Sequence, residues 1–295
     1  MSKTILDLIG NTPLVKSRVL NTNPNVELYF KLEGHNPGGS VKDRPAFNMI
    51  KNGLERGDFT KNSRLIEATS GNTGIGLAIV AGVYGLNIEL VMPENSTKER
   101  IQTMRAYGAK VTLTSSDIGI EGARDYAENK VLNEGYIMLN QFANDDNWKA
   151  HYNTTGPEIW KDTNKKITHF VSSMGTTGTI TGTSTFLKEQ NPNVNIIGVQ
   201  PEEGSRIPGI RKWSPDYVPK IYNSEKVDNI LYVNEKEAVA TAKRLAKEEG
   251  IFSGMSSGGA AVVALQIAEQ LKEGVIVSIV CDRGDRYLSS NLFDL

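Results

Sequence analysis

One cysteine in 295 residues, Cys281, leaves no partner for an intrachain disulfide. A chain without disulfides suits a reducing compartment. Histidines are also scarce. His35, His151 and His169 show no metal-site spacing with one another or with Cys281, so no metal is expected. Charge nearly cancels, 33 Lys plus Arg against 34 Asp plus Glu, with the two signs interspersed. Binding nucleic acid or an anionic membrane calls for a basic patch, and the sequence shows none. Long apolar runs are missing as well. The N-terminal apolar stretch is too short for a signal peptide, and the most apolar window, residues 75–92, is broken by Gly82, Gly85, Asn87 and Glu89. It reads as a helix followed by a strand, not a membrane span. The expectation is a cytoplasmic protein with no nucleic-acid or membrane partner.

What is present is a regular alternation. Residues 65–68, 87–92 and 110–114 read as strands, and residues 73–84, 97–107 and 119–133 as the helices between and after them. Gly108 is placed to close the second of these helices. After a polar segment, residues 140–148, the rhythm resumes with strands at 167–171, 194–200 and 275–280 and helices at 179–189 and 258–271. Asn234 with Glu237 has the spacing of a helix N-cap, and Gly250 stops the helix it opens. Residues 14–16 and 27–32 add two short strands. Strands separated by helices of this length predict βαβ units and a mainly parallel sheet, an α/β fold of two lobes. The polar segment is the expected lobe boundary. An irregular stretch, residues 201–225, holds four prolines, and a loop of that length is usually functional.

Four short stretches carry the chemistry. The first is Asn36-Pro37-Gly38-Gly39-Ser40-Val41-Lys42-Asp43-Arg44, between a strand-like and a helix-like run. Ser40 suits a helix N-cap. Lys42 then falls in the first helical turn, where the macrodipole disfavours a cation. It is either a solvated lysine or a buried amine of lowered pKa able to form a Schiff base. The second, Thr69-Ser70-Gly71-Asn72-Thr73-Gly74, follows a strand and gathers hydroxyls, an amide and N–H groups suited to a carboxylate, beyond what a capped turn needs. The third, Gly175-Thr176-Thr177-Gly178-Thr179, reads as a phosphate cradle or a plain loop. It matches neither the P-loop nor the dinucleotide fingerprint. The fourth, Gly254-Met255-Ser256-Ser257-Gly258-Gly259, aims a hydroxyl at a ligand or caps a helix. An imine-forming lysine, a carboxylate-binding turn and a phosphate cradle together imply pyridoxal 5'-phosphate and an amino-acid substrate.

These four stretches resemble the signature segments of the cysteine synthase (O-acetylserine sulfhydrylase) family, within the fold-type-II pyridoxal-phosphate enzymes. The resemblance runs from Ile9-Gly10-Asn11-Thr12-Pro13-Leu14 to Tyr287-Leu288-Ser289. It is similar to the B isozyme at residues 151–160, at Ser172-Ser173-Met174-Gly175, at Ile207-Pro208-Gly209-Ile210-Arg211 and at Cys281-Asp282-Arg283-Gly284-Asp285-Arg286. The resemblance implies a tryptophan synthase β-like fold. Its smaller lobe spans residues 35–145, its larger lobe residues 1–34 and 146–295, and the cofactor lies in the cleft between them. Lys42 is implied as the imine-forming lysine and later acid–base. Asn72 faces the cofactor's phenolic oxygen; Gly175, Thr176, Thr177, Gly178 and Thr179 hold its phosphate; Ser256, ahead of Ser257, faces the pyridine nitrogen. Thr69, Ser70, Thr73 and Gln141 take the substrate α-carboxylate. Arg211 and Cys281 lie near the path of the nucleophile, although Cys281 also reads as a small core residue. A neutral serine at the ring nitrogen makes the cofactor a weaker electron sink, which favours prompt loss of a β-substituent.

The implied reaction is β-replacement, giving L-cysteine from O-acetyl-L-serine and sulfide or a larger anion such as thiosulfate. Lys212 stands where the B pattern carries a second arginine and loses the bidentate fork, which weakens the case for thiosulfate. A homodimer is implied. The rivals are a cystathionine β-synthase, a serine dehydratase, a sulfide-releasing cysteine lyase and a catalytically silent regulatory homologue; the missing fingerprint argues against a nicotinamide dehydrogenase. The three histidines are assigned structural roles. The charged run 282–286 is either a solvated turn or a feature that shapes the field of the site.

Overall fold

The computed structural model describes residues 4–69 and 71–293. Two sheets organise them. The first is four-stranded and wholly parallel, in the order β5 (Lys110–Thr114), β4 (Asn87–Pro93), β3 (Arg64–Ala68), β6 (Ile137–Met138). The second is six-stranded, in the order β1 (Leu14–Lys16), β2 (Val26–Leu32), β10 (Gly274–Val280), β7 (His169–Ser173), β8 (Asn195–Pro201), β9 (Asn229–Val233). Only the β1–β2 pair is antiparallel. Helices flank both sheets, and this is the architecture of fold-type-II pyridoxal-phosphate enzymes. The central strands are near-continuous apolar runs, as strands covered on both faces must be. Ile276, Val277 and Ile279 of β10 and Leu90 and Met92 of β4 are fully buried.

Two helices set the site. Helix α2 (Asn72–Tyr84) and helix α9 (Met255–Gln270) start in the second and fourth glycine turns. Apart from Glu269 neither carries a charged side chain, and both bury nearly their whole circumference, as core helices do. Helix α1 (Asp43–Arg56) crosses α2 closely at Gly76. A Cβ there would lie 3.0 Å from the Lys42 carbonyl oxygen and 3.1 Å from the Ala46 Cβ, so the glycine lets α2 hold the start of α1 in place.

The remaining helices are α3 (Lys98–Ala106), α4 (Gly119–Glu134), α5 (Asp145–Ala150), α6 (Gly156–Asp162), α7 (Gly178–Gln190) and α8 (Glu235–Arg244). A π-helical turn, His151–Thr155, joins α5 to α6. Among the described residues no helix is long and apolar enough to cross a membrane.

Local expectations meet the structure unevenly. Asn234 caps α8 by accepting the Glu237 N–H at 2.9 Å, an interaction worth about 1 kcal/mol. Gly108 takes φ +87 behind α3. Ser40, however, is not an N-cap. It forms a β-bridge with Asp282, and Val41 donates to the Cys281 carbonyl, so the chain stays extended and α1 begins only at Asp43. Lys42 is therefore the capping position itself, and the Ser40 hydroxyl accepts its N–H at 3.1 Å. Helix α9 starts three residues earlier than the pattern indicates, which places Ser256 and Ser257 in its first turn. The polar segment 140–148 contains the start of α5, capped by Asn144. Strands β6 and β9 were not legible in the sequence. The proline-rich stretch is a loop with two 3₁₀ turns between β8 and β9.

Candidate active site

The second and third glycine turns leave the C-terminal ends of β3 and β7, the edge at which open α/β sheets bind ligands, and the fourth opens α9 against Asp282, just beyond β10. Direct bonds tie them together. Asn72, after β3, donates to Asp282, after β10, at 2.7 Å. Asn147 donates both to the Gln141 carbonyl at 2.6 Å and to the Thr176 hydroxyl at 3.3 Å, joining the two sheets' loops.

Lys42 sits at this meeting point. Among the described residues none bonds its amine. Desolvation is the strongest influence on it and lowers its pKa, while Cys281, Asp282 and Glu33 pull the other way. Part of the lysine still reaches solvent. A partly open amine whose charged form burial disfavours is suited to bind a carbonyl or accept a proton.

Around the second turn, Thr69 is buried and its N–H donates to the Val91 carbonyl. Ser70 lies outside the described residues. Thr73, in the first turn of α2, donates its hydroxyl to Gln141 Oε1 at 2.7 Å. That bond spends the Thr73 proton and turns the Gln141 Nε2 donors elsewhere. Asn72 has both amide ends engaged: Nδ2 by Asp282, and Oδ1 by Arg286.

In the third turn, Thr177 adopts φ +70, a left-handed conformation rare for a β-branched residue and costing on the order of 1–3 kcal/mol. Its hydroxyl is buried without a partner. The N–H groups opening α7 lie beside it with no acceptor inside the helix. Apart from the Gly178 N–H, which reaches the Thr176 hydroxyl at 3.4 Å, these donors at a helix N-terminus fit a phosphate group held without a cation. Gly175 faces the Gly209 carbonyl, which a Cβ would approach to 2.8 Å. A Cβ on Gly178 would meet Asn147 Oδ1 at 2.0 Å. Thr179 lies 3.4 Å from His151 Nε2, and the other His151 nitrogen contacts the Thr155 hydroxyl at 2.9 Å. Burial, with Arg44 and Lys42 nearby, holds His151 neutral.

The structure separates the two serines of the fourth turn. The Ser257 hydroxyl accepts the Cys281 N–H at 2.9 Å and is occupied by the fold. Ser256 is buried, its hydroxyl beside the Cys281 thiol and its carbonyl accepting from Ser173 at 2.7 Å. Burial pushes the Cys281 thiol up to about 11, so it is not a thiolate at neutral pH. Arg211 stands apart from this deep group. It is exposed, over the ring of Trp213 at 5.3 Å, and its N–H donates to Met174. Trp213 donates to the Gly175 carbonyl at 2.8 Å and packs edge-on against Phe142.

The charged run after β10 divides. Asp282 is buried and accepts from Asn72, from the Tyr287 hydroxyl at 2.6 Å and from the Gly254 N–H at 3.2 Å. Arg286 is buried and reaches Asn72 and the Gly38 carbonyl. Arg283 and Asp285 form an exposed pair. The sequence did not choose between a solvated turn and a field-shaping one, and the segment contains both. Asn147, Trp213 and Phe142 were missed altogether. Their partners lie 6 to 71 residues away, beyond any local pattern.

A family model described as "Pyridoxal-phosphate dependent enzyme" matches residues 5–282. The chain is 56% identical over 292 residues to cysteine synthase B of Pseudomonas aeruginosa, covering 99% of this chain and 97% of the relative. It is 52% identical over 290 residues to cysteine synthase B of Escherichia coli, covering 98% and 96%. The crystal structure of cysteine synthase from Entamoeba histolytica superposes with a TM-score of 0.95 at 37% identity, over all of this chain and 91% of the other. A desolvated lysine amine, a glycine turn of neutral donors at a helix N-terminus and relatives at this identity agree: the chain belongs to the cysteine synthase family of pyridoxal-phosphate-dependent enzymes.

Proposed function

We propose that the protein is a cysteine synthase of the B type, forming L-cysteine from O-acetyl-L-serine and sulfide. The observation that carries this reading is Lys42: a desolvated amine without a bond among the described residues, within a frame that matches cysteine synthase B at 56% identity over 99% of the chain. Pyridoxal phosphate, when bound, supplies an electron sink for negative charge at the substrate α-carbon. Gly175, Thr176, Thr177, Gly178 and Thr179 would hold its phosphate, Ser256 its pyridine nitrogen and Asn72 its phenolic oxygen. We assign these roles on the unpaired Thr177 hydroxyl and on the freedom of Ser256 relative to Ser257.

Lys42 is the attachment point for the cofactor aldehyde and, as a free amine, the base that takes the α-proton at Nζ and later returns one. Desolvation brings the amine toward the neutral form that a base near pH 7 requires. Thr69, Ser70, Thr73 and Gln141 bind the α-carboxylate. With the Thr73 hydroxyl committed to Gln141, Gln141 contributes Nε2 and Thr73 its backbone N–H. Arg211 and Cys281 border the path of the nucleophile. Arg211 can attract the anionic sulfur species, and Cys281, as a neutral thiol, does not compete with it. The lobes are taken as 35–145 and 1–34 with 146–295, with the cofactor in the cleft, and the enzyme as a cytoplasmic homodimer.

The test is an absorption spectrum of the purified protein before and after O-acetylserine, followed by addition of sulfide. Bound cofactor absorbing in the visible, a spectral shift with O-acetylserine, and cysteine on adding sulfide are expected. Serine and cysteine serve as alternative first substrates and separate the dehydratase and lyase reactions. A protein that stays colourless with added cofactor refutes the reading.

A further inference from the structure

Glu67 has no part in the reaction described above, yet it is a carboxylate buried to 3% exposure at the end of β3, two residues before Thr69. Its two oxygens are spent on one short segment. Oε2 accepts the N–H of Asn140 at 2.9 Å and Oε1 the N–H of Gln141 at 3.2 Å, and the Leu139 N–H also bears on it. The segment needs such a clamp, because Asn140 takes φ +55 just where the chain turns from β6 toward α5. The remaining polar groups of Gln141 are fixed from other directions: its carbonyl by Asn147 and its Oε1 by Thr73. Three restraints from three elements leave Nε2 as the polar group of Gln141 without a partner among the described residues.

A simple core residue would not explain this arrangement. A carboxylate alone among side chains offers two acceptors and no donor to two successive N–H groups. An apolar residue or an amide at position 67 would bury more cheaply. Resting on the assignment of Gln141 to the α-carboxylate, we propose that Glu67 is a positioning residue that fixes the 140–141 backbone so that Gln141 Nε2 meets the carboxylate of the amino-acid substrate. The charged group that faces Glu67 is Arg124 of α4; Leu90 opposes it on β4, and the 139–141 segment presents only backbone N–H groups.

The experiment uses the cofactor-loaded enzyme. Glu67→Gln keeps the shape and removes the buried charge, but it places an NH₂ donor against a backbone N–H. O-acetylserine is titrated against the visible spectrum, and amide exchange at Asn140 and Gln141 is followed by mass spectrometry. The expected result is a dissociation constant for O-acetylserine raised about tenfold, faster exchange at both amides, and unchanged affinity for pyridoxal phosphate. Glu67→Asp, which retains the charge but draws both oxygens back, should shift binding in the same direction. In a Gln141→Ala background Glu67→Gln should add nothing. Binding within twofold of the parent with unchanged exchange overturns the proposal, as does an equal loss in the Gln141→Ala background. If Gln141→Ala alone leaves O-acetylserine binding intact, the carboxylate assignment itself fails and the role of Glu67 fails with it. A parent protein that does not respond to O-acetylserine at all identifies failure of the proposed function instead.

Discussion

The two edges of the site, proposed to take the substrate carboxylate and the cofactor phosphate, are built in opposite ways. On the side of the four-stranded sheet, Gln141 is restrained through its N–H, its carbonyl and its Oε1. On the side of the six-stranded sheet, Thr177 sits in a disfavoured conformation with a buried, unpaired hydroxyl. A substrate that arrives and leaves at every turnover is best met by donors already aimed, because ordering them on each binding event would cost affinity. A cofactor that stays bound can itself complete the bonds of its cradle and offset the strain stored there. Asn147, bonded to both edges, is the link between them.

The largest effect should come from removing the group that serves both edges. Lys42→Ala is expected to lower turnover by at least about a thousandfold and to abolish the visible absorption of the attached cofactor, both read on the purified variant.

Next comes the support behind the edges. Arg44 binds Glu33 and Glu158 through both oxygens of each, and Lys31 closes the network at 2.8 Å from Glu158. Burial disfavours ionisation of Glu158, but Arg44 and Lys31 outweigh it and hold the group at about 2. Such a depressed carboxyl contributes stability above about pH 4.5 and loses it as pH falls toward 2. Arg44→Met should cost about 3–5 kcal/mol in denaturant unfolding at pH 7 by leaving carboxylates buried and unpaired. The loss should shrink as the pH is lowered through that window.

Glu67 behaves in the opposite sense. Burial raises it from 4.5 to about 7, against the pull of the N–H groups and Arg124. A raised carboxyl contributes stability below pH 4.5 that is lost as pH rises through 7. Glu67→Gln should therefore gain on the parent between pH 5 and pH 8, by at most about 3 kcal/mol in unfolding free energy. Stability gained together with substrate affinity lost would mark an edge whose charge is kept for positioning. Asp43, also raised to about 7 by burial, gives the parent a second slope of the same sign that the variant retains.

A smaller effect addresses the link. Gly178→Ala would bring a Cβ against Asn147 and should cost about 1–3 kcal/mol in cofactor affinity, measured by titrating the cofactor-free protein with pyridoxal phosphate. If O-acetylserine binding weakens as well, the two edges are coupled through Asn147; if it does not, they act independently.

The alternation of strands and helices was legible because it is written in local periodicity, and two of the glycine turns, at 69–74 and 175–179, because each directly follows a strand. Lys42's own neighbours leave it between a solvated and a buried amine; only the other turns and the family resemblance favour the imine-forming reading. Failures have a common cause in distance along the chain. Ser40 reads as a cap until its bridge to Asp282 is known, 242 positions away. Helix α5 has only six residues, and β6 has two, too short for any period to show. Strand β9 is an edge strand, largely exposed, so its pattern lacks the apolar run of its neighbours. Arg283 and Asp285 at the surface and Asp282 and Arg286 in the interior look alike as letters; only the fold sorts them. Glu67 carried no motif, and its role emerges from two N–H groups more than 70 residues later.

Lys42 is the residue to which the cofactor is proposed to attach. Borohydride treatment of the cofactor-loaded protein, followed by peptide mapping with mass spectrometry, tests that attachment directly. The account predicts a pyridoxyl-phosphate adduct on Lys42 that O-acetylserine, added before the reductant, diminishes. An adduct on another lysine, or none on Lys42, would contradict it.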